Sequence, residues 1–183
     1  MNLEELSRIK QQTLLALPDD DLYLYRLGIA LYGFGSIASF MTEIASLLDK
    51  TIDRTALQGK MGGDILDAFR ASVRKVKSSS RIAYRTGLDA AKLFEILNTE
   101  RSDFAHAYPI TSEMGEQILH RRLDEKGKYF EVTNEFLDRF ISDLHKVSSK
   151  LYEVRDLINA GALTANPLSK LNIAGGNTSL SVD

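Results

Sequence analysis

The chain has 183 residues, with 23 Lys and Arg against 25 Asp and Glu, and a formal net charge of −2. With 44% hydrophobic residues, a chain of this length is typical of one globular domain whose core needs no disulfide or metal for stability. Because the chain has no cysteine, its sequence excludes thiolate catalysis, thiolate zinc sites and iron–sulfur ligation.

The first five residues, Met1–Glu5, lack the basic and apolar segments of an export signal, so we expect a cytoplasmic protein. The run Leu27–Thr42 is uncharged but has only sixteen residues, fewer than the roughly 18 that a membrane-spanning helix needs. We therefore expect this run to form a buried helix, and we expect no association with a membrane.

The first long helix is predicted over residues 19–50. Asp19–Asp21 supply capping carboxylates, and apolar residues then recur at steps of three to five. These apolar residues are Leu22, Tyr25, Ile29, Tyr32, Ile37, Phe40, Met41, Ile44 and Leu48. Gly28, Gly33 and Gly35 would weaken an exposed helix, so we expect another helix to pack closely there.

Two further helices are predicted in the middle of the chain. The loop Gly59–Gly63 lacks the spacing of a phosphate-binding loop and indicates a turn before a helix that carries apolar residues from Ile65 to Val76. Ser78–Ser80 marks the next break. Another helix is predicted from Leu88 to about Asn98.

The last third of the chain is predicted to contain a β-hairpin and one more long helix. Two β-prone runs, 118–123 and 129–133, flank a turn, and the helix begins at Thr133 or Asn134 and extends to about Asn159. The composition of the last twenty-four residues indicates a flexible tail. The predicted fold is an all-α antiparallel helical bundle over residues 1–159, with a small β-hairpin insertion and a tail over 160–183.

The chain offers few residues for catalysis. His145 lies on the polar side of the last predicted helix, and Glu116 and His120 are four residues apart without a second pair of ligands. No nucleophile elbow and no pair of glycosidase-like carboxylates is present. We therefore expect neither a metal nor another cofactor.

His106 is distinguished by its neighbours, in the run from Arg101 to Pro109. On an unbroken helix Arg101 and His106 would point about 140° apart. Ser102 is a good N-cap and Asp103 suits a first helical turn, so we predict a short helix that opens at Ser102 and ends before Pro109. Arg101 and the free N–H groups would then bind a phosphate, with His106 on the same side to transfer a proton. The alternative is that the two residues only cap and pack.

The run Arg101-Ser-Asp-Phe-Ala-His106-Ala-Tyr108 resembles the Arg-x4-6-His motif of the HEPN superfamily, and the extended Arg-x4-His-x-Tyr form found in HEPN toxins. The position after the arginine, most often Asn in that family, is Ser102 here. The resemblance implies an all-α bundle that dimerises so that two motifs form a metal-independent endoribonuclease. It implies that Arg101 holds the scissile phosphate and that His106 is the general base or acid.

The same resemblance implies a place in a toxin–antitoxin module or in phage defence. Tyr108 matches the tyrosine that is adenylylated in toxins paired with a nucleotidyltransferase antitoxin, so such an antitoxin is a possible partner. HEPN domains also include members that only bind.

A positively charged stretch points to RNA independently. Between Asp67 and Asp89 the chain has no acidic residue, and Tyr84 lies within the stretch. The basic residues are Arg70, Arg74, Lys75, Lys77, Arg81 and Arg85. We predict RNA contact for all of these except Arg70, and the alternative is a solvated helix face.

These observations favour a homodimeric, metal-independent endoribonuclease whose substrate is RNA and whose products carry 2′,3′-cyclic phosphates. The second hypothesis is a non-catalytic helical dimer that binds nucleotide, RNA or a protein partner. The third is a structural scaffold in which Arg101 and His106 cap and pack.

Overall fold

The computed structural model describes residues 3–12 and 17–161. In this part of the chain the helices are α1 (Leu3–Gln12), α2 (Asp21–Leu48), α3 (Arg54–Gln58), α4 (Gly62–Lys75), α5 (Arg81–Ala105) and α6 (Asn134–Asn159). The strands are β1 (Tyr108–Thr111), β2 (Gln117–Leu123) and β3 (Lys128–Val132). The mainly helical fold with a small β insertion is therefore confirmed.

Side-chain caps explain where the main helices begin. The Asp20 carboxylate accepts hydrogen bonds from the backbone N–H groups of Leu22 and Tyr23 at the start of α2. The Thr133 hydroxyl accepts one from the N–H of Phe136 at the start of α6. These caps satisfy N–H groups that have no partner inside the helix. The sequence predicted the capping carboxylates of α2 and the start of α6 at Thr133 or Asn134.

The core lies where α2, α4, α5 and α6 pack together. Phe34 of α2 stacks on Phe94 of α5, with ring centroids 5.2 Å apart. The largest side chains of the core with almost no exposure include Tyr23, Met41, Ile44, Phe69, Val73, Phe94, Leu97, Leu137, Phe140, Val147 and Leu151. Burial of this apolar surface is the main source of stability for the four helices.

The predicted hairpin is confirmed as β2 and β3, but the sheet has a third strand that the sequence did not predict. β1 pairs antiparallel with β2, and β2 pairs antiparallel with β3, in the order β1-β2-β3. The Tyr23 hydroxyl accepts a 2.9 Å hydrogen bond from the N–H of Leu119, which joins α2 to the sheet. Burial raises the pKa of Tyr23.

α5 differs most from the prediction. It begins at Arg81, where the Ser80 hydroxyl caps it, and it runs without interruption through Ala105. The prediction of a helix confined to Leu88–Asn98 was therefore too short, and the prediction of a second helix opening at Ser102 was wrong. Ser102 lies in the last turn of α5 and its carbonyl accepts a hydrogen bond from the N–H of His106. From Leu88 to Ala105 the chain has no Gly or Pro, so no residue of this kind interrupts the helix before its end.

The glycines of α2 are only partly explained within one chain. A Cβ added at Gly33 would lie 2.9 Å from Leu144 Cδ1 of α6, so the predicted close packing is present there. A Cβ added at Gly28 or Gly35 would meet no heavy atom within 4 Å. At these two positions the described part of the chain provides no packing partner.

Two predictions concern the ends of the chain and the membrane. Residues 162–183, most of the predicted tail, lie outside the described residues. In the described part, α2 is long and apolar enough to cross a membrane by length and composition, with 33% of its most apolar stretch buried in the fold. The core helix of a soluble protein passes the same test, so this feature is weak evidence for a membrane span.

Candidate functional site

Arg101 faces a cleft between α2 and the loop before α4. Its guanidinium carbon lies 4.9 Å from the ring centroid of Phe34. The cleft has a volume of about 460 Å³, and its lining includes Gly35, Lys60 and Met61 as well as Arg101. Among the described residues the guanidinium forms no ion pair, and its buried Nε has no hydrogen-bond partner. Arg101 is therefore a half-buried cation available to an anion.

Several other arginines on the helices have a partner, whereas Arg74, Arg81 and Arg85, which are unpaired within the described residues, are exposed. Arg26, Arg54, Arg70 and Arg139 each pair with a carboxylate. Arg155 instead stacks on Phe40 and Tyr152. A guanidinium that stacks on a ring keeps its N–H edge free for hydrogen bonding, so stacking on Phe34 orients Arg101 without using its donors.

His106 is the residue at which α5 ends, and its side chain is exposed. Its carbonyl accepts a 3.1 Å hydrogen bond from an N–H of Arg121 in β2. Arg121 Nε is also buried without a hydrogen-bond partner in the described residues. Arg121 therefore places a cation at the negative end of the α5 dipole and connects the last turn of the helix to the sheet.

The structure does not bring Arg101 and His106 together within one protomer. Because α5 is unbroken, the two residues are separated by about 140° around the helix and about 7.5 Å along its axis. The predicted phosphate site at a helix entrance formed by Ser102 is therefore absent from the described structure. Ser102 is exposed and Asp103 is half-buried in the last turn of α5.

Tyr108 begins β1 and is 46% exposed. It pairs in register with His120 of β2, with ring centroids 5.7 Å apart in an edge-to-face arrangement. The His120 Nδ1 lies 3.4 Å from the Tyr108 hydroxyl. No role was predicted for His120, although the alternation of residues along a β-strand indicates that it shares a face with Arg122.

The basic residues around the turn between α4 and α5 form an exposed patch. Arg74, Lys77, Arg81 and Arg85 are exposed and form no ion pair in the described part of the chain. Lys77 Nζ lies 5.6 Å from the ring centroid of Tyr84. We call these four cations and Tyr84 the basic patch.

Lys75, also predicted to contact RNA, has another partner. Its Nζ lies 2.5 Å from Asp49 Oδ2. This contact, followed by hydrogen bonds from Thr51, lowers the pKa of Asp49 to about 2. Because Asp49 neutralises it, Lys75 adds little positive charge to the surface beside the basic patch.

The basic patch and the motif lie at opposite ends of α5. This helix has 25 residues, which corresponds to about 37 Å at a rise of 1.5 Å per residue. One short ligand therefore does not contact both surfaces of the same protomer.

No cluster of three or more His, Asp or Glu side chains suited to a metal ion is present among the described residues. No protein-family model, curated protein or solved structure matches this chain. The relation to HEPN proteins therefore stays a prediction based on the Arg101–Tyr108 motif.

Proposed function

We propose that this protein is a HEPN-type, metal-independent endoribonuclease that acts as a homodimer in the cytoplasm. The observation that carries the proposal is the state of the motif cation. Arg101 is half-buried, lies against a cleft and has no carboxylate partner in the described structure. Leaving an arginine in this state costs stability unless an anion binds it, so the cost is consistent with a function in binding phosphate.

The protein does not need to supply a nucleophile for this reaction, because RNA carries its own. Attack of the ribose 2′-hydroxyl on the adjacent phosphorus forms a 2′,3′-cyclic phosphate, and the 5′ oxygen leaves and takes a proton. A histidine side chain can remove the first proton or supply the second, and His106 is exposed to do so. Arg101 would stabilise the charge that develops on the phosphoryl oxygens.

The separation of Arg101 and His106 around α5 is the reason for proposing two protomers. One chain does not present both side chains on a single face. In the proposed dimer, a twofold axis near the motif would bring two copies of each residue to a common site. The outer face of α2 is the surface that we propose for this contact. We define it by Tyr25, Gly28, Tyr32 and Gly35.

This α2 outer face has the properties of a buried interface. Tyr32 is 83% exposed and Tyr25 is 59% exposed. Gly28 and Gly35 leave open space between the large side chains. Large aromatic residues that alternate with glycines allow two helices to approach closely, and Gly35 also lines the Arg101 cleft. A second copy seated here would therefore lie beside the cleft that Arg101 lines.

The biological role that we propose is that of a toxin in a toxin–antitoxin or phage-defence system. The basic patch would attract RNA over a long range by contacts with its phosphates. Tyr108 is half exposed at the end of the motif. Its hydroxyl is the proposed acceptor for adenylylation by a nucleotidyltransferase antitoxin.

The test is incubation of the purified chain with total RNA in EDTA, followed by analysis of the RNA ends. Wild-type protein should leave 2′,3′-cyclic phosphates and 5′-hydroxyls, and His106→Ala and Arg101→Ala should leave the RNA intact. His145→Ala is the matched control, because His145 is an exposed histidine on α6 that does not belong to the motif. The proposal would be contradicted if His106→Ala still cleaves RNA. It would also be contradicted if wild-type protein, with Tyr108 shown to be unmodified, leaves all RNA intact.

The second candidate function is an RNA-binding dimer that cuts nothing. The observation that favours it is the basic patch, which lies about 30 Å along α5 from His106 and needs no motif to bind phosphates. This candidate predicts RNA binding that falls steeply with salt and is unchanged in His106→Ala. The end analysis described above separates the two functions.

A further inference from the structure

One face of the sheet carries aromatic and cationic side chains that the proposed chemistry does not use. Side chains alternate between the two faces of a strand, and partners in register share a face. Tyr108 and His120 are one such pair, and Arg122 and Tyr129 are the next pair, two residues along β2. We call these four residues the sheet platform.

The opposite face of the same sheet is already occupied. Val132 is fully buried, and Leu119 packs against the core. Phe130 meets Phe136 of α6 edge to face, with ring centroids 4.7 Å apart. The face with Leu119, Phe130 and Val132 therefore packs on the helices. On the other face Ile118 is buried, but the sheet platform lies beyond it, where Tyr129 is 63% exposed.

The platform is held in place before any ligand arrives. Asp124 accepts a 2.7 Å hydrogen bond from Arg122 Nε and a 3.0 Å hydrogen bond from the Tyr129 hydroxyl. These bonds lower the pKa of Asp124, with Arg122 as the larger cause, and the guanidinium lies 5.6 Å from the Tyr129 ring centroid. Because the side chains are already ordered, a ligand that stacks on them loses less entropy on binding.

We infer that the sheet platform is a stacking site for the bases of single-stranded RNA, adjacent to the motif. Exposed aromatic rings beside a guanidinium are what unpaired bases need, because every base has a π face that stacks on a ring and polar edges that accept hydrogen bonds. Tyr108 belongs to both the motif and the platform and is two residues from His106. A base on this ring would therefore lie next to the proposed reacting phosphate.

The charges of the platform favour bases over the phosphate backbone. Arg122 is neutralised by Asp124, and Glu131 lies opposite His120 in register. Binding at the platform should therefore depend weakly on salt, whereas binding at the basic patch should depend steeply on it. This inference rests on the proposed function because it takes RNA as the ligand, but its test does not require cleavage.

The experiment measures binding of a single-stranded RNA with 2-aminopurine at internal positions, in the His106→Ala background so that the RNA is not cut. A length of about twelve nucleotides covers one site of the usual size. Tyr129→Ala should weaken binding by about 5- to 150-fold, since one stacked base contributes about 1–3 kcal/mol. Tyr129→Phe retains the ring and should bind within about twofold of the parent, if stacking is the main contribution.

The matched control is Tyr152→Ala. Tyr152 is 47% exposed and lies 4.5 Å from the guanidinium of Arg155, so it has the same chemistry on α6. This variant should bind RNA like the parent. The fluorescence of 2-aminopurine should change on binding to the parent and to Tyr129→Phe, and this change should be lost in Tyr129→Ala.

Two results would overturn the inference. One is equal affinity and equal fluorescence change in the parent and in Tyr129→Ala. The other is equal dependence on Tyr129 for single-stranded RNA and for the fully paired duplex, whose bases cannot stack on a protein surface. If wild-type protein cuts no RNA but Tyr129→Ala alone loses binding, the ribonuclease proposal fails and the stacking site stands.

Discussion

Replacing the two open glycines of α2 by alanine should have opposite effects on the protomer and on the dimer. Alanine is about 0.8–1.0 kcal/mol more favourable than glycine inside a helix. Neither Gly28 nor Gly35 has a heavy atom within 4 Å of an added Cβ, so each protomer gains this amount without a steric cost. The sites are seven residues apart, so Gly28→Ala/Gly35→Ala should raise the free energy of unfolding by about 2 kcal/mol.

The proposed dimer should respond in the opposite direction. If two copies meet through the α2 outer face, each substitution occurs twice in the contact, and overpacking costs about 1–3 kcal/mol. The dissociation constant should therefore rise at least about tenfold, since 1.4 kcal/mol corresponds to one factor of ten. RNA cleavage at a protein concentration near that constant should fall with the dimer fraction.

The assay combines urea unfolding at high dilution with sedimentation velocity over a concentration series. Gly63→Ala is the control, because Gly63 also has open space around an added Cβ but lies in α4. It should leave the dissociation constant unchanged. If the double variant does not stabilise the protomer, the inference that Gly28 and Gly35 have open space around them is refuted. If the double variant dimerises like wild type, the α2 outer face is not the interface.

Three further predictions concern stability. Gly87→Ala should lower the free energy of unfolding by up to about 2 kcal/mol, because the new Cβ would lie 2.7 Å from Val73 Cγ2 and the stiff Val73 side chain is fully buried. If urea unfolding instead shows that the variant is more stable, as expected for Gly28→Ala, this packing is contradicted. Phe104→Ala should lower it by about 3–5 kcal/mol, since Phe104 is 3% exposed and meets Phe140 edge to face, and Phe104→Leu should lose less. Asp49 has a pKa of about 2 in the folded state, below its ordinary 3.8. Its contribution to the free energy of unfolding is therefore complete above pH 4 and is lost as the pH falls through 2. Asp49→Asn should therefore flatten the decline in stability between pH 4 and pH 2, and an unchanged decline would show that the contact with Lys75 contributes little.

The sequence predicted the elements whose signal is local. α2 and α6 have apolar residues at helical spacing and polar caps at Asp20 and Thr133, and both signals act within the element itself. The hairpin of β2 and β3 has its turn at Gly127, whose φ of 57° suits glycine. Local patterns of this kind specify where an element begins and ends.

The sequence analysis did not predict α1 or the five-residue α3, although α3 has a local cap at Asp53. The other differences, at β1 and α5, depend on contacts between distant segments. β1 has four residues, including Pro109, and becomes a strand because it pairs with β2. The break expected at Ser102 did not occur because a good N-cap residue is also tolerated in a final helical turn, where Phe104 is held in the core. Capping propensity alone did not decide between the beginning and the end of a helix.

The same long-range contacts determine what the motif can do. The unbroken α5 puts Arg101 beside Phe34 and exposes His106 at the helix end, while Arg121 ties the His106 carbonyl to the sheet. The strand pairing then places Tyr108 beside His120. The β insertion thus holds the end of α5 at His106. In our proposals it would also supply a surface for bases, and α2 would supply the contact with a second protomer. Under the proposed function, a single protomer would bind RNA but would need its partner to cut it.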